Sequence, residues 1–278
     1  MNVAKHNCVL AIMSRIGYTA SMIGFFIKKA FFDGWDHLFS LLLLNLGFLL
    51  FLSMGFVLPG SLGVPVWLAL SLVALSLAGG SVWWSACVYA MKDVADFGSF
   101  HARDIWANVK RGLTPGLQVG AFLVLLWFVV SVGLPFYLKI GGILGALAAG
   151  VIFWCAIILL LALQYYIPLR SRLGGGLKKN MRKSFVIFFD NPGFSFFLFL
   201  YCAATLVVSI FLAFLLPGFA GIALAQDVAL RLRLYKYDWL EVNPEAKRRE
   251  IPWDKLLEED KDLVGKRTLK GMFFPWKE

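Results

Sequence analysis

Apolar residues in this chain come in long unbroken stretches, of which LLLLNLGFLLFL is typical. They neither alternate as in strands nor form the single stripe of a soluble helix. Several run for about 20 residues, enough to cross a hydrocarbon core about 30 Å thick. A β-barrel would need short alternating strands instead. The pattern predicts an all-α, polytopic transmembrane helical bundle. About six spans are expected, arranged as three helical hairpins: 37–58, 66–91, 114–138, 143–169, one from Asn191-Pro192 to Leu216-Pro217, and 219–236.

Local signals mark the ends. Thr114-Pro115-Gly116 and Asn191-Pro192-Gly193 place a capping residue before a proline, which reads as a helix start because the first turn needs no N–H from proline. Leu58-Pro59-Gly60 and Leu216-Pro217-Gly218 read as stops, and Asp33 as an N-cap. Ahead of the first span, Val9, Ile12, Met13, Ile16, Ala20, Ile23 and Ile27 recur every three to four residues, which suits an interfacial amphipathic helix. Between the second and third spans, DVADFGSFHARDIWANVKRGL reads as a short surface helix. After the sixth, a charged composition takes over, with a helix beginning at Pro252 and ending near Gly265. This gives three regions: an interfacial segment over 1–36, a membrane domain over 37–236 and a charged tail over 237–278.

Charge sharpens the picture. Residues 1–231 hold no Glu, seven Asp and 16 Lys or Arg, and the tail holds 10 of the 17 acidic residues. The basic excess lies in the loops at 92–113 and 170–190, while the turns near 60, 140 and 217 carry one Lys in total. By the positive-inside rule the basic loops are cytoplasmic, and so are both termini. The anchors are Lys28, Lys29, Lys110, Arg111, Arg170, Arg172, Lys178, Lys179, Arg182 and Lys183. The net charge of +10 is accounted for by this asymmetry and does not indicate nucleic-acid binding.

The sixth segment is the exception, because only 13 residues separate Pro217 from Arg231. Arg231 and Arg233 would have to snorkel, or the segment would be re-entrant or interfacial. FFD recurs at 31–33 and 188–190, with a turn proline 26 and 27 residues later. Either an internal repeat produces this, or basic residues, prolines and Phe simply recur at membrane boundaries.

Candidate intramembrane polar residues are few. Asp227 falls near mid-membrane by helical rise, where a carboxylate is costly and often functional. Arg231, at i+4, offers it a structural partner. Asn45 and Gln164 sit inside spans, where amides bond across helices. Tyr165 and Tyr166 fall where an aromatic belt is expected. Gly116 and Gly120 form a GxxxG, and Gly141 with Gly145, and Gly142 with Gly150, extend small-residue rows; these suit close packing within the chain or a homo-oligomer. The four cysteines show no metal or disulfide spacing. With no HExxH, GxSxG or phosphate loop, neither catalysis nor a cofactor is expected.

The order of features resembles the YesL-like membrane proteins over residues 25–236. FFDGWDHLFSLLLLNLGFLL, AGGSVWWSACVYAMKDV, FHARDIWANVKRGL and the closing NPG…LLPG…LRLRLY carry the resemblance. It implies a multi-pass protein of the bacterial cytoplasmic (inner) membrane, associated with carbohydrate uptake by an ABC permease. The expected function is that of a non-enzymatic membrane accessory or scaffold whose partners are the lipid bilayer and a membrane protein such as that permease. The alternative is a small secondary transporter or channel that uses the Asp227 region.

Overall fold

A computed structural model describes residues 21–246 and 251–267, so Val9, Ile12, Met13, Ile16 and Ala20 lie outside the described residues. The described residues are all-α. Five helices are long and apolar enough to cross a membrane: Leu38–Leu62, Val66–Ala95, Ala102–Ile140, Gly142–Leu173 and Pro192–Phe211. Protein covers only 6% to 28% of their most apolar stretches, so most of this surface needs another apolar medium around it. The sixth expected segment is also a helix, but it is not among these five.

The chain forms two compact units. One takes its described residues from those up to Trp35 and from Arg231 onward; the other is Asp36–Leu230.

In the larger unit, α2 (Leu38–Leu52) passes through a π-helical turn, Ser53–Val57, into α3 (Leu58–Leu62). Leu58-Pro59-Gly60 is therefore not the stop that the sequence suggests; the turn comes at Gly63, whose φ of +57° favours glycine. The same device recurs where α5 (Ile105–Phe128) passes through Val129–Gly133 into α6 (Leu134–Ile140), with Pro135 after the π turn. Each proline lacks an N–H for the carbonyl four residues back, Gly55 or Ser131. The widened turn is where that mismatch is absorbed.

Thr114-Pro115-Gly116 does not open a span either. Pro115 lies inside α5, which continues helical from the 3-10 turn at Ala102–Asp104. Residues 105–113, expected as a separate surface helix, form its first turns. On this stretch Gly112, Gly116 and Gly120 line one face and let α5 approach α4 (Val66–Ala95) closely. A Cβ on Gly116 would lie 2.6 Å from the Ser81 carbonyl oxygen and from Val82 Cα, one on Gly120 2.7 Å from Ser81 Oγ, and one on Gly112 2.9 Å from the Ala86 nitrogen.

The fourth span is interrupted. α7 (Gly142–Leu163) stops, Gln164 and Tyr165 turn, and α8 (Tyr166–Leu173) follows. Pro168 explains the site of the break: it cannot bond the Gln164 carbonyl, and its ring crowds that group. Of the other packing glycines, Gly145 lies so close to α6 that a Cβ on it would come within 2.6 Å of the Tyr137 carbonyl oxygen. Gly141 and Gly142, with φ of +69° and +65°, make the turn into α7, and a Cβ on Gly150 would meet nothing within 4 Å among the described residues. Gly142 and Gly150 thus form no packing row against the described residues.

After α9 (Leu177–Asp190), α10 (Pro192–Phe211) starts with Pro192 in its first turn. Asn191 stands in the cap position without a side-chain capping bond; its amide donates to Asp190. α11 (Gly218–Val242) runs past the expected end at 236. From Ala220 to Leu230 it is buried on nearly every side. Small residues (Ala220, Gly221, Ala223, Ala225, Ala229) make this possible by letting neighbours close around the backbone.

The smaller unit contains a helix over 21–36, here α1, the second half of α11, and α12 (Trp253–Leu256) and α13 (Glu258–Val264) of the tail. Asp33 is no N-cap. It lies within α1 and pairs with Lys29, one turn back, at 2.8 Å. The buried face of α1 carries Met22, Phe25, Phe26, Lys29, Ala30 and Phe32, while Ile27 of the expected apolar stripe is exposed.

Gly116→Val is expected to lower stability by about 1–3 kcal/mol through overpacking against fixed backbone. Gly150→Ala should leave it within about 0.5 kcal/mol of the parent. Unfolding midpoints of the two variants in one detergent check the contrast; equal losses would remove the α4–α5 contact as the cause.

Candidate functional site

The polar residues that stand out in the sequence do not converge on one site. Each ties helices together at a different level.

Asn45 of α2 is fully buried. Its amide nitrogen donates to the Leu215 and Pro217 carbonyls, both at 2.9 Å, and its oxygen accepts from the Ala220 N–H at 2.8 Å. Ser209 Oγ accepts from the Gly218 N–H at 2.9 Å. Helices α2 and α10 thereby satisfy two of the donors that any helix start leaves open, here those of α11. Gly218, at φ +63°, is pressed against the Asn45 side chain, where a Cβ would collide with it.

At the break between α7 and α8, Gln164 donates to the Ser195 carbonyl at 2.9 Å, and the Tyr165 hydroxyl meets Ser195 Oγ at 2.9 Å. Tyr166 turns the other way and donates to Gln118 of α5 at 2.5 Å. Both tyrosines are fully buried, so they are not an aromatic belt. Their hydroxyls join three helices, a use that spacing alone does not reveal.

Asp227, on the buried part of α11, faces Arg172 of α8 with Nε–Oδ1 at 3.5 Å. This is an ion pair beyond good hydrogen-bond length, and neither carboxylate oxygen has a hydrogen-bond partner among the described residues. Arg172 meanwhile donates from one nitrogen to both oxygens of Asp96, at 2.9 Å each, where Asp96 closes the C-terminus of α4. One guanidinium thus serves two carboxylates and links α4, α8 and α11. The sequence marks Asp227 as an isolated acid. It gives no sign that its partner lies 55 residues away.

Arg231, expected to pair with Asp227 or to snorkel, is engaged in the smaller unit. Its Nη2 and Nε reach Asp260 of α13 at 2.9 and 3.3 Å, and Tyr235 joins both groups. Arg233 is buried, donates to Met22 Sδ at 3.4 Å and lies over the Trp253 ring. The tail is also held by Lys28, which donates to the Gly265 carbonyl at 2.8 Å, and by Asp254, which bonds Lys261 and Ser21. The Lys261 ammonium keeps the Asp254 carboxyl below its ordinary range.

The basic anchors meet different fates. Lys29 is buried, and desolvation depresses its pKa against the opposing pull of Asp33. Lys110 lies over the Trp106 ring, Lys178, Lys179 and Arg182 are exposed on α9, and Lys183 is half-buried. Arg111 and Arg170 border a cavity at the ends of α4 and α8.

Arg172→Leu leaves Asp227 buried without its counter-charge and is expected to cost about 3–5 kcal/mol. Asp227→Asn, which keeps the shape and removes the charge, should cost far less. Adding it to Arg172→Leu should recover part of the loss. A double-mutant cycle on unfolding midpoints reads the coupling, and additivity within about 0.5 kcal/mol would dissolve the pair.

Among the described residues, no group of three or more His, Cys, Asp or Glu could hold a metal ion. Comparison with family profiles, with curated proteins and with solved structures gives no match to this chain.

Proposed function

We propose that the protein is a non-enzymatic accessory or scaffold of the bacterial cytoplasmic membrane, with a membrane protein as its partner. One observation carries this reading. Asn45, Gln164, Tyr165, Tyr166 and Asp227 all have their polar atoms directed at other helices of the same unit. A transporter needs some such groups facing a substrate path near the membrane midplane. Here the same groups serve to fix helix positions, which is what a rigid docking frame requires. The resemblance to the YesL-like proteins directs the choice of partner toward an ABC permease for carbohydrate, and basic loops toward the cytoplasm give both termini that side. In this reading α11 is the sixth segment, tolerated among lipid-facing helices because protein surrounds it.

The tail supplies a test surface. Removing it whole would uncover Arg231, Arg233 and the apolar face of α1, so deletion confounds folding with binding. Glu258, Glu259 and Asp262 of α13 are exposed and lie outside those contacts. Affinity purification of the full chain from native membranes in mild detergent should recover a permease in stoichiometric amount. Charge reversal at these three positions should reduce that recovery about tenfold or more. A clean monomer or homo-oligomer would overturn the accessory reading. Solute flux in liposomes that Asp227→Asn abolishes would establish the transporter in its place.

A further inference from the structure

A cavity of about 410 Å³ opens in the larger unit where the last turns of α4 and α8 meet the second turn of α5. Its volume falls within the range of about 300–1,000 Å³ typical of small-molecule sites. Three of its lining side chains are cationic: Lys92 from α4, Arg111 from α5 and Arg170 from α8. One carboxylate, Asp93, faces them. None of the three cations is within ion-pair distance of an acidic group among the described residues, Asp93 included. Arg172, two residues from Arg170, is by contrast matched by both Asp96 and Asp227.

The remaining lining groups are polar donors. Asn108 is buried, and its side chain has no hydrogen-bond partner among the described residues. Arg170 lies against the phenols of Tyr89 and Tyr166, yet its Nη1 is buried without a hydrogen bond. A buried guanidinium N–H without an acceptor is costly. Lys92 and Arg170 sit near helix C-termini, where the dipole favours a cation. Arg111 lies in the second turn of α5, where the dipole does not. Helix capping therefore leaves part of the charge unexplained.

We propose that this cavity binds a phosphate group as its ligand. A tetrahedral oxyanion suits the donors present: two guanidiniums able to grip its oxygens in pairs, an ammonium as a point charge, and the Asn108 amide. It would give Arg170 Nη1 the acceptor it lacks. Two sources share this chemistry. One is the phosphodiester of an anionic lipid headgroup, since basic pockets between helices on the positively charged side of membrane proteins recognise such groups. The other is a soluble phosphate or phosphomonoester. Asp93 disfavours a second negative charge at its end of the cavity, so a singly charged diester or a monoester oriented away from it fits best. The proposal does not rest on the accessory reading.

The experiment uses the full chain, freed of lipid in a neutral detergent. Inorganic phosphate is titrated in thermal unfolding against potassium chloride at matched ionic strength. Phosphatidylglycerol and phosphatidylcholine are compared by native mass spectrometry. The parent protein should show saturable binding of phosphate, of phosphatidylglycerol, or of both. Arg111→Gln and Lys92→Gln should each weaken it about tenfold, the usual effect of losing one charge-assisted contact. Arg111→Lys should retain most of it. Arg111 is exposed and has no hydrogen bond or ion pair among the described residues, so Arg111→Gln should keep helix content and the ligand-free unfolding midpoint, and it decides alone if Lys92→Gln fails to fold. Retention of phosphatidylglycerol without any effect of phosphate assigns the site to a lipid headgroup; stabilisation by phosphate assigns it to a soluble ligand. The proposal falls if neither probe binds, if chloride reproduces the phosphate effect, or if binding survives Arg111→Gln undiminished.

Discussion

A helix enclosed by protein on all sides can carry a charge only if its counter-charge is enclosed with it. The first half of α11 sets this condition for the larger unit: Ala220 to Leu230 is buried, and Asp227 lies in the middle of that stretch. The answer is Arg172, and much of the local architecture serves to deliver it. Arg172 lies on α8, past the interruption of the helical hydrogen bonding at Gln164 and Tyr165, where Pro168 cannot bond the Gln164 carbonyl. Asp96, at the end of α4, then fixes the guanidinium from the other side.

The same rule governs the uncharged groups. In an apolar medium every backbone donor and acceptor must find a partner within the protein. The turn from α10 into α11 leaves the Leu215 carbonyl and the Ala220 N–H without a backbone partner, and one Asn45 side chain takes both and adds a second donor to the Pro217 carbonyl, which also accepts from the Gly221 N–H. Glycines do the apolar counterpart of this work. Gly112, Gly116 and Gly120 bring α5 onto the backbone of α4 at a distance no side chain allows. Together, polar ties at helix ends and glycine contacts along helix faces hold helices whose outer surfaces are almost wholly apolar.

Much of this was legible in the sequence, and the misses share a cause. Continuous apolar runs gave the long helices, and the Gly116/Gly120 row gave a close contact, because both depend only on local composition. Pro192 opens α10 as its position after Asn191 suggests, but other prolines misled, because a proline marks where a backbone bond is lost and not how the chain absorbs the loss. Pro59 and Pro135 sit after π turns, Pro115 rides inside a helix, and only Pro168 breaks one. Partner choice was equally hidden. Asp227 and Asn45 were visible as polar residues out of place, but Arg172 and the Leu215–Ala220 turn lie 55 and about 170 residues away, and nothing in local spacing encodes such distances. Asp260 was lost for another reason: within an acidic tail, a buried aspartate looks like its solvated neighbours.

The basic residues show how far a compositional rule reaches. Charge asymmetry treats the lysines and arginines between spans as one population that orients the chain. In the structure they divide. Lys178, Lys179 and Arg182 stand in the open on α9, as orientation alone would require. Lys29 and Arg172 are neutralised by carboxylates within the fold. Arg170 and Arg172 make the division plain, since successive helix positions turn by about 100° and two residues on one helix therefore face nearly opposite ways. One arginine meets two acids, and the other meets a cavity whose remaining charges are mostly of its own sign. Three cations face a single carboxylate, Asp93, there, and that imbalance is what an anion in the cavity would offset.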